Sequence, residues 1–146
     1  MKRLVFLEEP ARLIFHAVLI GSLYLLFVGH NQPGGGFVGG LVAGAAISLR
    51  YLAGGIEAVR GLTRVQPWTI LGSGLLLAAS VALVPLLGGD PVLTALSTEL
   101  DVPVVGHLYV STTLLFDMGV YLLVVGVMFM VFEAVGDAST DGSGTP

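Results

Sequence analysis

Four long apolar stretches, separated by short polar segments, dominate the pattern of hydrophobic and polar positions along this chain. They are residues 11–28, 37–53, 68–87 and 111–132. Each is long enough to cross a hydrocarbon core as a helix, which takes roughly 17–25 residues. We therefore predict an all-α membrane protein with four transmembrane helices in one domain, residues 1–133. Residues 134–146 are predicted to be a disordered acidic tail.

Composition supports this assignment and excludes other classes of protein. The chain is 55% hydrophobic and 11% charged, whereas soluble domains have about 25% charged residues. It contains no cysteine, which excludes disulfides and thiolate chemistry. The net charge of −4 argues against a nucleic-acid partner. The expected surroundings are a lipid bilayer.

A glycine-dense polar elbow joins the first two spans over residues 29–36, which read GHNQPGGG. Pro33 fixes its own φ and Gly34 can adopt a positive φ, so the sequence predicts a type II turn over Gln32–Gly35. Close backbone packing beside a hydrated site is expected here. The elbow residues are His30, Asn31, Pro33, Gly34, Gly35 and Gly36.

Small residues recur every four positions in the second span, at Gly36, Gly40, Gly44 and Ser48. Such a stripe lets another helix approach closely. The approaching helix could belong to this chain or to another subunit.

The loop before the last span begins with Asp90 and Pro91, a signature of a helix start. Apolar residues then recur at helical spacing up to Leu100. We predict a short helix on the outer surface, over about 92–100.

All basic residues lie on one side of the predicted bundle. They are Lys2, Arg3, Arg12, Arg50, Arg60 and Arg64. The positive-inside rule then places both termini and the connection between spans two and three in the cytoplasm.

Asp117 is the strongest candidate for chemistry because it lies inside the fourth span. A carboxylate in hydrocarbon costs at least ~2.5–3.5 kcal/mol and marks an ion path, a relay or a buried pair. Thr113 and Tyr121 lie four residues to either side, on the same helical face. A hydrogen-bonded Asp117 that links helices is the alternative. His16 is a second candidate for the ion path, and a neutral histidine bonded to another helix is its alternative.

Motifs for enzymatic chemistry are absent from the sequence. The elbow lacks the spacing and lysine of a phosphate-binding loop, and neither H-E-x-x-H nor a Ser-His-Asp set occurs. We expect no enzyme activity, no cofactor and no metal site.

The run from Gly29 to Leu41, preceded by Phe15 and His16 in the first span, resembles the MnhB domain of Mrp-type multisubunit cation/proton antiporters, which is their B-type component. The resemblance covers most of residues 5–133. It implies a prokaryotic cell-membrane complex of several different subunits that exchanges Na⁺ for H⁺. Within it, this chain would have an accessory role, supporting assembly and lining a cation path.

Two other functions remain open from the sequence. One is the equivalent subunit of a membrane-bound hydrogenase-like ion-pumping complex. The other is a self-sufficient homo-oligomeric channel or carrier, which the scarcity of intramembrane charge disfavours.

Overall fold

The structure is a computed structural model that describes residues 5–29, 34–89, 91–92, 97–102 and 106–141. Within these residues the chain forms four α-helices and one β-hairpin. In order they are α1 (Val5–Val28), α2 (Gly36–Arg60), α3 (Pro67–Leu87), β1 (Ser97–Val102), β2 (Gly106–Ser111) and α4 (Thr112–Asp141). All four helices are long and apolar enough to cross a membrane. The predicted class of four-span helical membrane protein is confirmed.

Helices are the expected form of these segments because a bilayer core offers backbone N–H and C=O groups no water to bind. Proline and glycine residues mark the two ends of α3. Pro67 begins the helix, where its missing N–H costs nothing. Pro85 lies in the last turn before Gly88 ends it.

The helix α2 occupies the centre of the bundle, packing against α1 on one side and α4 on the other, while α3 packs against α4. A hydrophobic core joins α1, α2 and α4, and its buried residues are Phe15, Ala46, Ile47, Val59 and Phe129. Gly55 interrupts α2 with φ 71° and ψ −165°, a kink that separates its last turn from the rest.

The surface helix predicted over 92–100 is wrong for residues 97–100, which belong to β1; residues 93–96 lie outside the described residues. The strands β1 and β2 pair antiparallel, with Ser97 opposite Ser111 and Val102 opposite Gly106. Residues 99–102 alternate polar and apolar, which is the period of a strand. These residues form a strand because β2 supplies the partner for their backbone hydrogen bonds.

The last helix also continues past residue 133, where the sequence predicted a disordered tail. Tertiary contacts hold this extension, because Gly136 is buried and packs closely on Ile56 of α2. The Arg60 guanidinium donates a 2.8 Å hydrogen bond to the Asp137 carboxylate. Helix therefore replaces the expected tail up to Asp141, and residues 142–146 lie outside the described part.

Candidate functional site at the junction of three helices

The backbone at the elbow is tightly folded around the end of α1. The Leu25 carbonyl accepts hydrogen bonds from the N–H groups of both Gly29 and Gly35, each at 3.1 Å. Gly35 has φ 95° and ψ −174°, a conformation that is essentially restricted to glycine. The positive φ of the elbow is therefore at Gly35 and not at Gly34, where the predicted type II turn needs it. The predicted turn over 32–35 begins outside the described residues, as do His30, Asn31 and Pro33.

Asp117 lies against the first residues of α2. A methyl group added at Gly35 would come within 3.1 Å of Asp117 Oδ2, and one added at Gly36 would overlap the Asp117 backbone carbonyl. Only glycine at these two positions permits the approach. The first N–H groups of a helix lack partners within that helix and carry partial positive charge. The Asp117 carboxylate therefore lies beside the N-terminus of α2.

One turn further along α4, Tyr121 is hydrogen-bonded to Ser22 of α1, with 3.0 Å between the two hydroxyl oxygens. The Ser22 hydroxyl also donates to the Leu19 carbonyl at 2.8 Å. Since serine has one hydroxyl hydrogen, Tyr121 is the donor to Ser22 Oγ. Ser22 is fully buried and Tyr121 is 9% exposed, so this polar pair is shielded from the surroundings.

Glycines of α2 let α1 and α4 approach this helix closely. An added methyl group at Gly39 would be 2.8 Å from the Ser22 carbonyl and 3.4 Å from the Tyr121 ring. At Gly40 it would be 2.8 Å from Val124 Cβ, and at Gly44 2.8 Å from Met128 Cγ. The stripe of small residues on α2 therefore packs on α4 of the same chain. Of the two alternatives for the approaching helix, the structure shows the one within this chain.

His16 lies apart from Asp117. Its Nδ1 is 2.6 Å from the Arg12 carbonyl, and because a carbonyl only accepts, Nδ1 carries the hydrogen. The ring is exposed and meets Phe15 edge-on. It lines a cavity of about 570 Å³ that Tyr121 also lines and Asp117 does not. Thr113, in the first turn of α4, is exposed.

Three residues of this region were missed as site candidates from the sequence. Ser22 was an isolated hydroxyl within an apolar span, and its position in the span was the available signal. Arg12 and Arg50 were used only to orient the chain, yet both line the same cavity as His16 and Tyr121. Their common location depends on how α1 and α2 pack.

Four helices able to cross a membrane, with an intramembrane carboxylate and a buried hydroxyl pair at the junction of three of them, define a multi-pass membrane protein. The chain belongs to the MnhB family, because the family model described as "Domain related to MnhB subunit of Na+/H+ antiporter" matches residues 6–130. The resemblance predicted from the elbow sequence is confirmed.

Similar proteins come from bacteria. The chain is 37% identical over 131 residues to the B-type subunit of the Na(+)/H(+) antiporter from Bacillus subtilis (strain 168), covering 90% of this chain and 92% of that protein. It is 34% identical over 133 residues to the protein of the same name from Alkalihalophilus pseudofirmus, covering 91% and 92%. These relatives and the four helices indicate a multi-pass prokaryotic membrane protein.

A solved structure shares the fold. The match is to a chain in "Structure of Mrp complex from Dietzia sp. DQ12-45-1b", with a TM-score of 0.77 and 34% identity. The matched region covers 90% of this chain and 14% of that chain. The present chain therefore corresponds to a small part of that longer chain.

Proposed function

We propose that this chain is a small accessory membrane subunit of a multisubunit Na⁺/H⁺ antiporter. It would be a component of a transporter, and not an enzyme. Support comes from the two bacterial antiporter proteins, which the chain covers almost end to end. The exposed apolar faces support it too: Leu52 is 81% exposed and Leu76 is 72% exposed. Lipid and other subunits of a hetero-oligomeric complex are the partners that would cover such faces.

The proposed location is the prokaryotic cell membrane, with both termini and the α2–α3 connection in the cytoplasm. Arg60 and Arg64 lie at that connection. Arg12 and Arg50 line one cavity together with Gly61 to Thr63 of the connection. These arginines are therefore at one end of the bundle, as the positive-inside rule requires of the cytoplasmic side.

Within the complex, Asp117 would lie on the path of Na⁺ or H⁺. The observation that carries this proposal is its carboxylate beside the bare backbone of Gly35 at the start of α2. Carboxylate and carbonyl oxygens suit hard cations. Tyr121 follows about 6 Å along the helix, and because its O–H donates to Ser22, its oxygen keeps lone pairs for a cation or water.

The test is Asp117→Asn, which keeps the shape and removes the charge. We expect the complex to assemble, and sodium-dependent proton exchange in membrane vesicles to fall at least about tenfold, the rate equivalent of one lost charged interaction of ~1.4 kcal/mol. Glu133→Gln is the matched control, since it removes a carboxylate from α4 outside the junction. It should exchange normally.

Wild-type exchange with wild-type sodium dependence in Asp117→Asn would show that the carboxylate only links helices. If Asp117→Asn fails to assemble, Asp117→Glu restores the charge. It is then expected to assemble and to exchange with an altered sodium dependence. Normal sodium dependence in Asp117→Glu would count against direct ion contact.

A further inference from the structure

The cavity that contains His16 and Tyr121 has a basic end with no role in the proposed ion path. We call it the basic cavity. Its volume is about 570 Å³, within the range of ~300–1,000 Å³ that is usual for ligand pockets. Arg12 and His16 of α1 and Arg50 of α2 lie in its wall, near the α2–α3 connection.

The guanidinium group of Arg50 has a hydrogen-bond donor without a partner in this position. Its Nε is buried and has no hydrogen-bond partner. A buried donor on a charged group is costly to leave without a partner. The described residues that line the cavity include no aspartate or glutamate, so none of them supplies an anion there.

The remainder of the wall is largely apolar. Its apolar side chains include Leu19, Ala43, Ile47, Leu122, Val125 and Phe129. The cavity therefore combines two cationic side chains at one end with a hydrocarbon-like surface along the rest. A free inorganic anion would use only the first of these features. A sodium ion is disfavoured by the positive charges of Arg12 and Arg50.

We propose that the basic cavity binds an anionic phospholipid. The phosphate would accept hydrogen bonds from the guanidinium groups of Arg12 and Arg50, whose forked donors match phosphate oxygens. An acyl chain would lie along the apolar wall towards Tyr121. Basic pockets between transmembrane helices on the cytoplasmic side recognise anionic headgroups in this way. The exposed side chains of Arg12 and His16 leave the entrance open to the headgroup region.

The first experiment measures lipid binding by the purified chain in detergent, using native mass spectrometry. The probes are dioleoyl phosphatidylglycerol and dioleoyl phosphatidylcholine. We expect one phosphatidylglycerol bound per chain, with about tenfold preference over phosphatidylcholine. Arg50→Gln should lower phosphatidylglycerol binding about tenfold. Arg64→Gln changes the net charge equally on an exposed residue outside the cavity and should bind normally.

Arg50→Lys covers the case in which Arg50→Gln does not fold. This substitution keeps the positive charge but loses the planar guanidinium that can bind two phosphate oxygens at once. We expect weakened but measurable binding of phosphatidylglycerol. Equal binding by the wild type, an Arg50 variant and Arg64→Gln would overturn the proposal. So would equal binding of phosphatidylglycerol and phosphatidylcholine by the wild type.

Two further measurements separate a lipid from other anions. Glycerol 3-phosphate carries the phosphate without acyl chains, and it should displace phosphatidylglycerol only at far higher concentration. Displacement at equal concentration would identify an anion site and refute the lipid. In the assembled complex, lipid extraction should recover phosphatidylglycerol that is lost with Arg50→Lys or Arg50→Gln. No lipid difference between these complexes would indicate an acidic side chain of a neighbouring subunit instead.

Discussion

Tyr121 of α4 and Ser22 of α1 are joined by a buried hydrogen bond of 3.0 Å, although they are 99 positions apart in the chain. Gly39 of α2 lies between the two helices and leaves room for the bond. All three helices of the junction are thus involved in one polar contact. This contact lies one turn along α4 from Asp117.

Removing the Ser22 hydroxyl alone should cost at least as much as removing both hydroxyls of this pair. Ser22→Ala leaves the buried Tyr121 hydroxyl without its acceptor, at about 1–3 kcal/mol. Tyr121→Phe removes the donor and should cost about 0.5–1.5 kcal/mol, because Ser22 keeps its bond to Leu19. The double variant should be no less stable than Ser22→Ala alone. Thermal unfolding of the purified chain in detergent measures these differences in a double-mutant cycle.

Ser80→Ala is the control for that cycle, because Ser80 makes the same kind of local bond, 2.9 Å to the Leu77 carbonyl, on the exposed face of α3. A loss for Ser22→Ala no larger than for Ser80→Ala would mean that the bond to Tyr121 contributes nothing.

Gly36→Ala should separate α2 from α4. The added methyl group would overlap the backbone carbonyl of Asp117, and backbone cannot rotate away as a side chain can. Overpacking of this kind costs about 1–3 kcal/mol. We expect loss of assembled complex on native gels. Gly72→Ala in α3 is the control, because nothing lies within 4 Å of its added methyl group; normal assembly of both variants would contradict the packing.

Gly35→Ala should be harmful for a different reason, its backbone conformation. With φ 95° and ψ −174°, any side chain there is strained by about 1–3 kcal/mol. The amount of this protein in the membrane, measured by immunoblot, should fall. Gly21→Ala in α1, where an added methyl group meets nothing within 4 Å, should accumulate like the wild type. Equal amounts of both variants would argue against the strained elbow.

The orientation is testable by cysteine labelling, since the chain contains no cysteine of its own. Val92→Cys, at a residue 50% exposed, should react with an impermeant maleimide in intact cells. Arg64→Cys, on the α2–α3 connection, should react only after the cells are opened. The reverse labelling pattern would invert the proposed topology.

Hydropathy along the chain was enough to predict the four membrane helices, because a span of about 20 apolar residues is a local property. The elbow sequence was likewise enough to predict the family. The hairpin of β1 and β2 was missed because strands depend on a partner segment. The extension of α4 to Asp141 was missed because its contacts with Ile56 and Arg60 are far away in sequence.

The sequence by itself determined the class of protein, the glycine-rich elbow and the presence of an intramembrane carboxylate at Asp117. Only the tertiary structure decided which residues the polar side chains contact. It placed Asp117 on Gly35, Tyr121 on Ser22, and Arg50 in a cavity shared with Arg12. The physical reason is that apolar length and backbone freedom belong to local sequence, whereas contacts between helices depend on which small residues let their backbones meet.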